Sequence, residues 1–225
     1  MINFPFWITN FKNYEEAVGE NAVRLAKIHE RVANDTGCAI GIAVNVVDLA
    51  RVAQAVKIPV FAQHLDAIEY GKNTGWILPQ TVQFAGANGT LLNHSERRLD
   101  KNILKKSCDL AKKLNLMRLV CAKNPEELGK FAQTLDVDFL AFEPPELIGS
   151  KIESVASAKP KSITDSVRLA HGKPVFVGAG IRTAQDIEAS LSLGAQGFLV
   201  ASAVVQASDP EKVLRTLVKT FAKKK

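Results

Sequence analysis

The chain has 225 residues, 47% hydrophobic and 23% charged, a balance that gives a globular protein a sizeable core and excludes a disordered or fibrous chain. Its 29 Lys and Arg outnumber 23 Asp and Glu by six, but three of those charges are the terminal Lys223, Lys224 and Lys225; with aromatics at 7% and not interleaved with basic clusters, no nucleic-acid surface is expected. No apolar run is long enough to cross a bilayer, the amino terminus carries no basic-then-apolar leader, and Cys38, Cys108 and Cys121 are too far apart for a metal or redox motif. A cytoplasmic protein with reduced thiols and no membrane partner is therefore expected, with two of the cysteines packing in predicted strands.

Short β-rich runs alternate with amphipathic helical patterns through eight βα units. The first strand runs from about Phe4 to Thr9, and Asn13 with Glu16 three residues on predicts the cap of a helix burying Val18, Ala22, Leu25, Ile28 and Val32. Strand two, Ala39 to Val44, precedes a helix with Leu49, Val52, Ala53 and Val56 at three- and four-residue spacing. Strand three, Pro59 to Ala62, leads into a long polar connection, Gln63 to Leu78, and then a helix with Pro79 in its first turn. Strand four is Gly89 to Leu92, followed by a helix from near Asp100 with Ile103, Ser107, Leu110, Ala111 and Leu114 inward. Met117 to Cys121 is strand five, and Asn124-Pro125-Glu126-Glu127 combines a cap, a first-turn proline and acidic residues against the helix dipole. Strand six, Asp138 to Phe142, is stopped by Pro144 and Pro145, and the segment Glu146 to Ser150 between rigid prolines and flexible Gly149 is expected to act as a lid. A helix from about Ser162 to Ala170, strand seven from Pro174 to Val177, a helix capped by Thr183 with Ile187 and Leu191, and strand eight from Gly197 to Val200 follow. The last helix opens at Asp209-Pro210 and buries Val213, Leu214, Leu217 and Phe221.

Eight such units in this length predict an α/β fold, a (β/α)8 barrel spanning residues 1–225 as a single domain. The alternative is an open doubly wound sheet, but no Gly-rich dinucleotide fingerprint follows the first strand. In a barrel the chemistry gathers at the carboxyl ends of the strands. Asn10 and Lys12 follow strand one, His94, Ser95 and Glu96 strand four, Glu143 strand six, Gly178-Ala179-Gly180 strand seven, and Ala201-Ser202 strand eight. Each alone is compatible with a solvated charge, a structural imidazole or a turn glycine; five strand ends bearing ionisable groups or exposed amides on one rim are compatible with a site.

The stretches Asn10-Phe11-Lys12, Ala62 to Asp66, Thr74-Gly75, Gly89 to Arg98, Phe142 to Gly149, Gly178 to Ile181 and Ala201-Ser202 together resemble the triosephosphate isomerase family, in its shorter archaeal branch, over nearly the whole chain. The resemblance implies a TIM barrel that interconverts dihydroxyacetone phosphate and glyceraldehyde 3-phosphate, in glycolysis and gluconeogenesis, with no metal and no organic cofactor. Moving a carbonyl along three carbons requires removing a proton beside it, stabilising an enediolate and returning the proton one carbon away. By resemblance Glu143 is the base, and His94 donates to the substrate oxygens as a neutral imidazole, a property known for this family, where a helix amino terminus keeps it uncharged. Ser95 to Arg98 are the residues expected to form such a turn behind His94. Lys12 supplies positive charge, Asn10 helps to place it, and Glu96 orients it.

The same resemblance implies a phosphate held by backbone amides at Ile148, Gly149, Gly180, Ala201 and Ser202, without an arginine cluster. Ser150-Lys151 departs from the small residues usual after the family's lid glycine, which bears on lid motion. His29, His64 and His171 match no constellation and are expected at the surface or an interface. The connection Gln63 to Leu78, with Trp76 and Ile77, resembles the family's interface loop and implies a homo-oligomer, tetramer or dimer.

Overall fold

A chain whose strands are to be covered on both faces needs continuous apolar runs and not alternation. The computed structural model describes residues 2–144 and 155–222, and its strands have this character. They are β1 (Phe6–Asn10), β2 (Ala39–Val44), β3 (Val60–Ala62), β4 (Gly89–Leu92), β5 (Met117–Ala122), β6 (Phe139–Phe142), β7 (Val175–Val177) and β8 (Gly197–Val200). Only the first residues of β2 and β5 are not fully buried. Each strand pairs in parallel with the next, and β8 closes onto β1 with Phe6 opposite Gly197. The architecture is a closed (β/α)8 barrel.

Aromatic rings fill the barrel at the amino-terminal end of the strands. Phe6 lies 6.0 Å from Phe176, 6.1 Å from Phe139 and 6.3 Å from Phe61, centroid to centroid. Glycines on neighbouring strands make the room: a Cβ at Gly89 would come within 2.4 Å of the Phe61 ring, and one at Gly197 within 2.6 Å of Phe176. With that floor packed, the barrel is left to open at the carboxyl ends of the strands.

The outer layer comprises α1 (Glu20–Thr36), α2 (Leu49–Ala55), α3 (Pro79–Phe84), α4 (Lys101–Lys113), α5 (Pro125–Thr134), α6 (Val155–Ala158), α7 (Pro160–Leu169), α8 (Ala184–Ser192), α9 (Ser202–Val205) and α10 (Pro210–Val218). Side chains of Asp100, Asn124, Thr183 and Asp209 cap α4, α5, α8 and α10, each contributing about 1 kcal/mol. The first and last long helices meet through Arg215, which bonds Asp35 at 2.8 Å and Glu211 at 2.9 Å, while Arg31 also pairs with Glu211.

Several sequence expectations are corrected. The Asn13/Glu16 pattern does not start a long helix; a 3-10 turn, Glu15–Ala17, comes first, and α1 begins after Gly19. The Gly19 amide donates to Asp48 Oδ2 at 2.9 Å, so this junction is held by the next βα unit, which local spacing cannot reveal. Ala22, Leu25 and Val32 of α1 are buried as expected, but Ile28, and Val18 ahead of the helix, are only partly so, and Ala26 and His29 complete the face. In α4 the inward residue is Leu104, and Ile103 is 47% exposed, because Ser107, Cys108 and Ala111 set the phase of the buried stripe. Of the cysteines, only Cys121 lies in a strand; Cys108 is in α4 and Cys38 precedes β2, all as free thiols.

His29 and His64 are not at the surface. His29 is fully buried, donating from Nδ1 to Leu25 O at 2.8 Å; its Nε2 accepts from Thr9 Oγ1 at 2.7 Å, and Thr9 in turn accepts from Trp7 Nε1 at 2.8 Å. Burial lowers its pKa from 6.5 to about 4. His64 is buried against Asp66, 3.0 Å from its Oδ1, while Asp66 Oδ2 accepts from the Ile77 amide at 2.7 Å and closes the base of the 63–78 connection. His171 is exposed, as expected.

Candidate active site

Glu143 stands at the carboxyl end of β6, its amide bonded to Ala122 O at 2.9 Å on the neighbouring strand. Its side chain turns into the barrel mouth and is buried, and Oε2 has no hydrogen-bond partner among the described residues. A Cβ at Gly178 would sit 2.4 Å from Glu143 Cγ and 2.7 Å from Oε1. The bare backbone at the end of β7 therefore leaves the space that the carboxylate occupies. Burial raises the Glu143 pKa above 4.5, opposed in part by His94, the Cys121 thiol and Lys12. A carboxylate so desolvated is a stronger base than one in water.

His94 follows β4, behind Asn93 in the left-handed conformation (φ 59°), which the asparagine stabilises by accepting from Leu99 N and donating to Cys121 O, both at 2.9 Å. Its Nδ1 accepts from the Glu96 amide at 3.2 Å. An amide can only donate, so Nδ1 carries no proton and the ring is the neutral tautomer with the proton on Nε2. That Nε2–H faces Glu143 Oε1 at 3.5 Å, too far for a good hydrogen bond. The turn expected behind His94 is present, closed by Arg97 N to His94 O at 2.8 Å; α4 begins only at Lys101. The Glu96 amide alone fixes the tautomer.

Lys12 takes a left-handed conformation (φ 48°) just past β1, with its amide donating to Asn10 Oδ1 at 3.0 Å. Its ammonium reaches Glu96 Oε1 at 2.6 Å. One residue, Glu96, thus sets the histidine through its backbone and the lysine through its side chain. The same cavity is lined by Gly180, in the left-handed region (φ 71°), and by Ala201-Ser202 at the start of α9, where the Ala201 carbonyl accepts from Val204 N and Val205 N. Asn10, Lys12, His94, Glu143, Gly180, Ala201 and Ser202 line a single cavity; Glu96 lies just outside it. Ile148 and Gly149, with the expected lid and Ser150-Lys151, lie outside the described residues.

Three residues in or beside the site were not anticipated from sequence. Gln63, the first residue after β3, donates from Nε2 to Lys12 O at 2.9 Å. Cys121 lies beside Glu143, and its thiol is pushed well above 9.0 by burial and by the carboxylate's charge. Arg182 lines the cavity two residues after Gly180, its amide tied to Asp186 at 3.1 Å. Strand-end position was the available signal for Gln63, and a lone basic residue after the glycine-rich turn for Arg182.

The arrangement joins a desolvated carboxylate, a neutral N–H donor and a fixed ammonium in one cavity with the backbone of Gly180, Ala201 and Ser202. A sequence profile of the triosephosphate isomerase family matches residues 5–220. The triosephosphate isomerase of Methanobacterium bryantii is 45% identical over 218 residues, covering 95% of this chain and 96% of that protein. Those of Saccharolobus solfataricus (41% over 217 residues, 95% of each chain) and Methanocaldococcus jannaschii (39% over 216 residues, 94% and 98%) are similarly close. With the family profile and near full-length similarity in agreement, the chain belongs to the triosephosphate isomerase family.

Proposed function

We propose that this chain interconverts dihydroxyacetone phosphate and glyceraldehyde 3-phosphate with Glu143 as the single base and His94 as the electrophile. The carboxylate removes a proton from the carbon beside the substrate carbonyl, and the same carboxylic acid returns it to the adjacent carbon once the enediolate has formed. His94 Nε2–H donates to the oxygens on which charge develops, and Lys12 adds a fixed positive charge beside them. Asn10 holds the Lys12 backbone, and Glu96 orients the ammonium and selects the histidine tautomer. The amides at Gly180, Ala201 and Ser202, with those of Ile148 and Gly149, take the phosphate. The chemistry requires no metal and no organic cofactor, and its place is glycolysis and gluconeogenesis in the cytoplasm, the chain acting as one domain.

The observation that carries this assignment is the convergence of Glu143 Oε1 and His94 Nε2, 3.5 Å apart, on one cavity wall with the ammonium of Lys12 alongside. A base and a proton donor so spaced can address neighbouring atoms of one small substrate. The test is a coupled assay of the purified protein in both directions, without added metal. Turnover of glyceraldehyde 3-phosphate is expected, and its absence in folded protein would end the proposal.

We also propose a homo-oligomer. Tyr70 (68% exposed) and Trp76 (60%) project from the 63–78 connection, and Val47 (84%) from the loop before α2 borders a groove beside the site. Aromatic and apolar side chains this exposed at one end of a barrel suit contact with a second copy. Among the described residues no helix is long and apolar enough to cross a membrane.

A further inference from the structure

We infer that Gln63 is a positioning residue for Lys12, holding the lysine's backbone in the left-handed form that its role requires. The inference rests on the proposed role of Lys12 at the site. A lysine at φ 48° occupies a region that L side chains seldom take, so something outside the residue must hold it there. Two side-chain amides do so from opposite sides: Asn10 Oδ1 accepts from the Lys12 N–H at 3.0 Å, and Gln63 Nε2 donates to the Lys12 C=O at 2.9 Å. The Asn10 contact spans two residues of one loop. The Gln63 contact spans 51 residues and ties the loop after β1 to the end of β3.

Gln63 is itself anchored. Its amide donates to Val44 O at 3.1 Å, continuing the β2–β3 ladder by one residue, and its Nε2 also lies 3.4 Å from Ala43 O, the carbonyl that accepts from Phe11 N at 2.9 Å. The side chain therefore bridges the β1 and β2 strand ends, rigid parts of the barrel. Downstream of Lys12 Cα, the ammonium reaches Glu96, the residue whose amide selects the His94 tautomer. Releasing the Lys12 carbonyl would let the residue relax toward an ordinary conformation and swing its ammonium away from Glu96 and the cavity. Gln63 touches neither substrate nor reacting atoms and acts through Lys12 alone.

Gln63 also opens the connection whose base is closed by Asp66 and Ile77 and which carries Tyr70 and Trp76. The lysine is thus held by the same segment that presents the exposed aromatic surface. Order in that segment reaches Lys12 through the Gln63 side chain, and the turn at His94 through Arg97, which donates to Asp66 Oδ1 at 3.1 Å.

The test is a double-mutant cycle read in kcat/KM, using Gln63→Met, which keeps length but offers no donor, and Lys12→Met, with Gln63→Glu as a second donor-free variant. Wild-type and variant thermal midpoints are recorded alongside, and slow turnover is followed by NMR. Lys12→Met is expected to cost about 10²–10³ in kcat/KM, as for removal of a transition-state charge stabiliser. Gln63→Met in the wild-type background is expected to cost about tenfold, the loss from leaving a part-buried carbonyl without its donor. In the Lys12→Met background the same change should cost less than about twofold. A tenfold loss in both backgrounds would show that Gln63 shapes the site generally and overturn the inference, as would no loss from either Gln63 variant. If Lys12→Met leaves kcat/KM unchanged, it is the role of Lys12 that fails, a result distinguishable from either.

Discussion

Gly178→Ala is the smallest change that moves the proposed base without altering it. A methyl group at this position would lie 2.4 Å from Glu143 Cγ, 2.7 Å from Oε1 and 3.0 Å from Cδ, whereas ordinary contact begins near 3.4 Å. The difference between 3.4 and 2.4 Å requires the Glu143 arm to shift by about 1 Å, since all three nearest atoms belong to that one side chain. The barrel tolerates this, because a side chain and not a strand must give; the cost in stability should stay at or below about 1–3 kcal/mol, the range for modest overpacking. Catalysis should not tolerate it. A misplacement of about 1 Å at a reacting group costs about 10²-fold in rate, so kcat should fall by that factor. Affinity for 2-phosphoglycolate should change less, because of the amides proposed for the phosphate only that of Gly180 is on the loop that carries the substitution, while those of Ala201 and Ser202 are on a different strand end. The assay is steady-state turnover in both directions, with inhibitor affinity and thermal midpoint measured on the same preparation. A folded Gly178→Ala protein with kcat within about threefold of wild type would refute the claim that the carboxylate's position sets the rate.

His29 is buried neutral, with its pKa lowered from 6.5 to about 4, so between those values the unfolded state binds the extra proton and stability falls as pH falls. The full effect is about 3 kcal/mol, present above pH 6.5 and lost by pH 4, and it should show as a steeper decline of the denaturation midpoint in wild type than in His29→Gln. Gly180→Val places a β-branched side chain at φ 71° where the phosphate is proposed to approach backbone; affinity for phosphate-bearing analogues should drop by about tenfold or more, and unchanged 2-phosphoglycolate binding in a folded variant would move the phosphate elsewhere. Light scattering at micromolar concentration should give a mass above one chain, reduced by Trp76→Asp; a monomer in the wild type would remove the interface assigned to the 63–78 connection.

What the sequence made legible follows from how local the determining interactions are. β2, β4 and β8 match their expected bounds because a strand buried on both faces is written as an unbroken apolar run between polar ends. The caps at Asp100, Asn124, Thr183 and Asp209 match for the same reason, each bond spanning two or three residues. The misplaced start of α1 arises where the deciding bond, Gly19 N to Asp48, spans 29 residues. His29 looks like a surface histidine until Thr9, 20 residues away, supplies its partner. The site divides in the same way. His94 to Glu96 and Glu143 occupy strand ends readable from their own neighbours, whereas the parts played by Gln63, Gly178 and Cys121 exist only once β3, β7 and β5 stand beside their partners. Ile103 and Leu104 differ by one step of a helix, and only the small residues Ser107, Cys108 and Ala111, which a hydrophobic pattern weighs lightly, decide between them.

The central claim is that Glu143 itself carries the proton, and Glu143→Gln in deuterated water tests it most directly. Glutamine keeps the shape of the buried side chain but cannot accept a proton from carbon, so 2-phosphoglycolate should still bind. Turnover should fall by at least about 10²–10⁴, the usual worth of a positioned base, and deuterium should no longer enter the substrate carbon that exchanges in wild type. A folded Glu143→Gln protein that isomerises glyceraldehyde 3-phosphate near the wild-type rate, with deuterium incorporated, would contradict it.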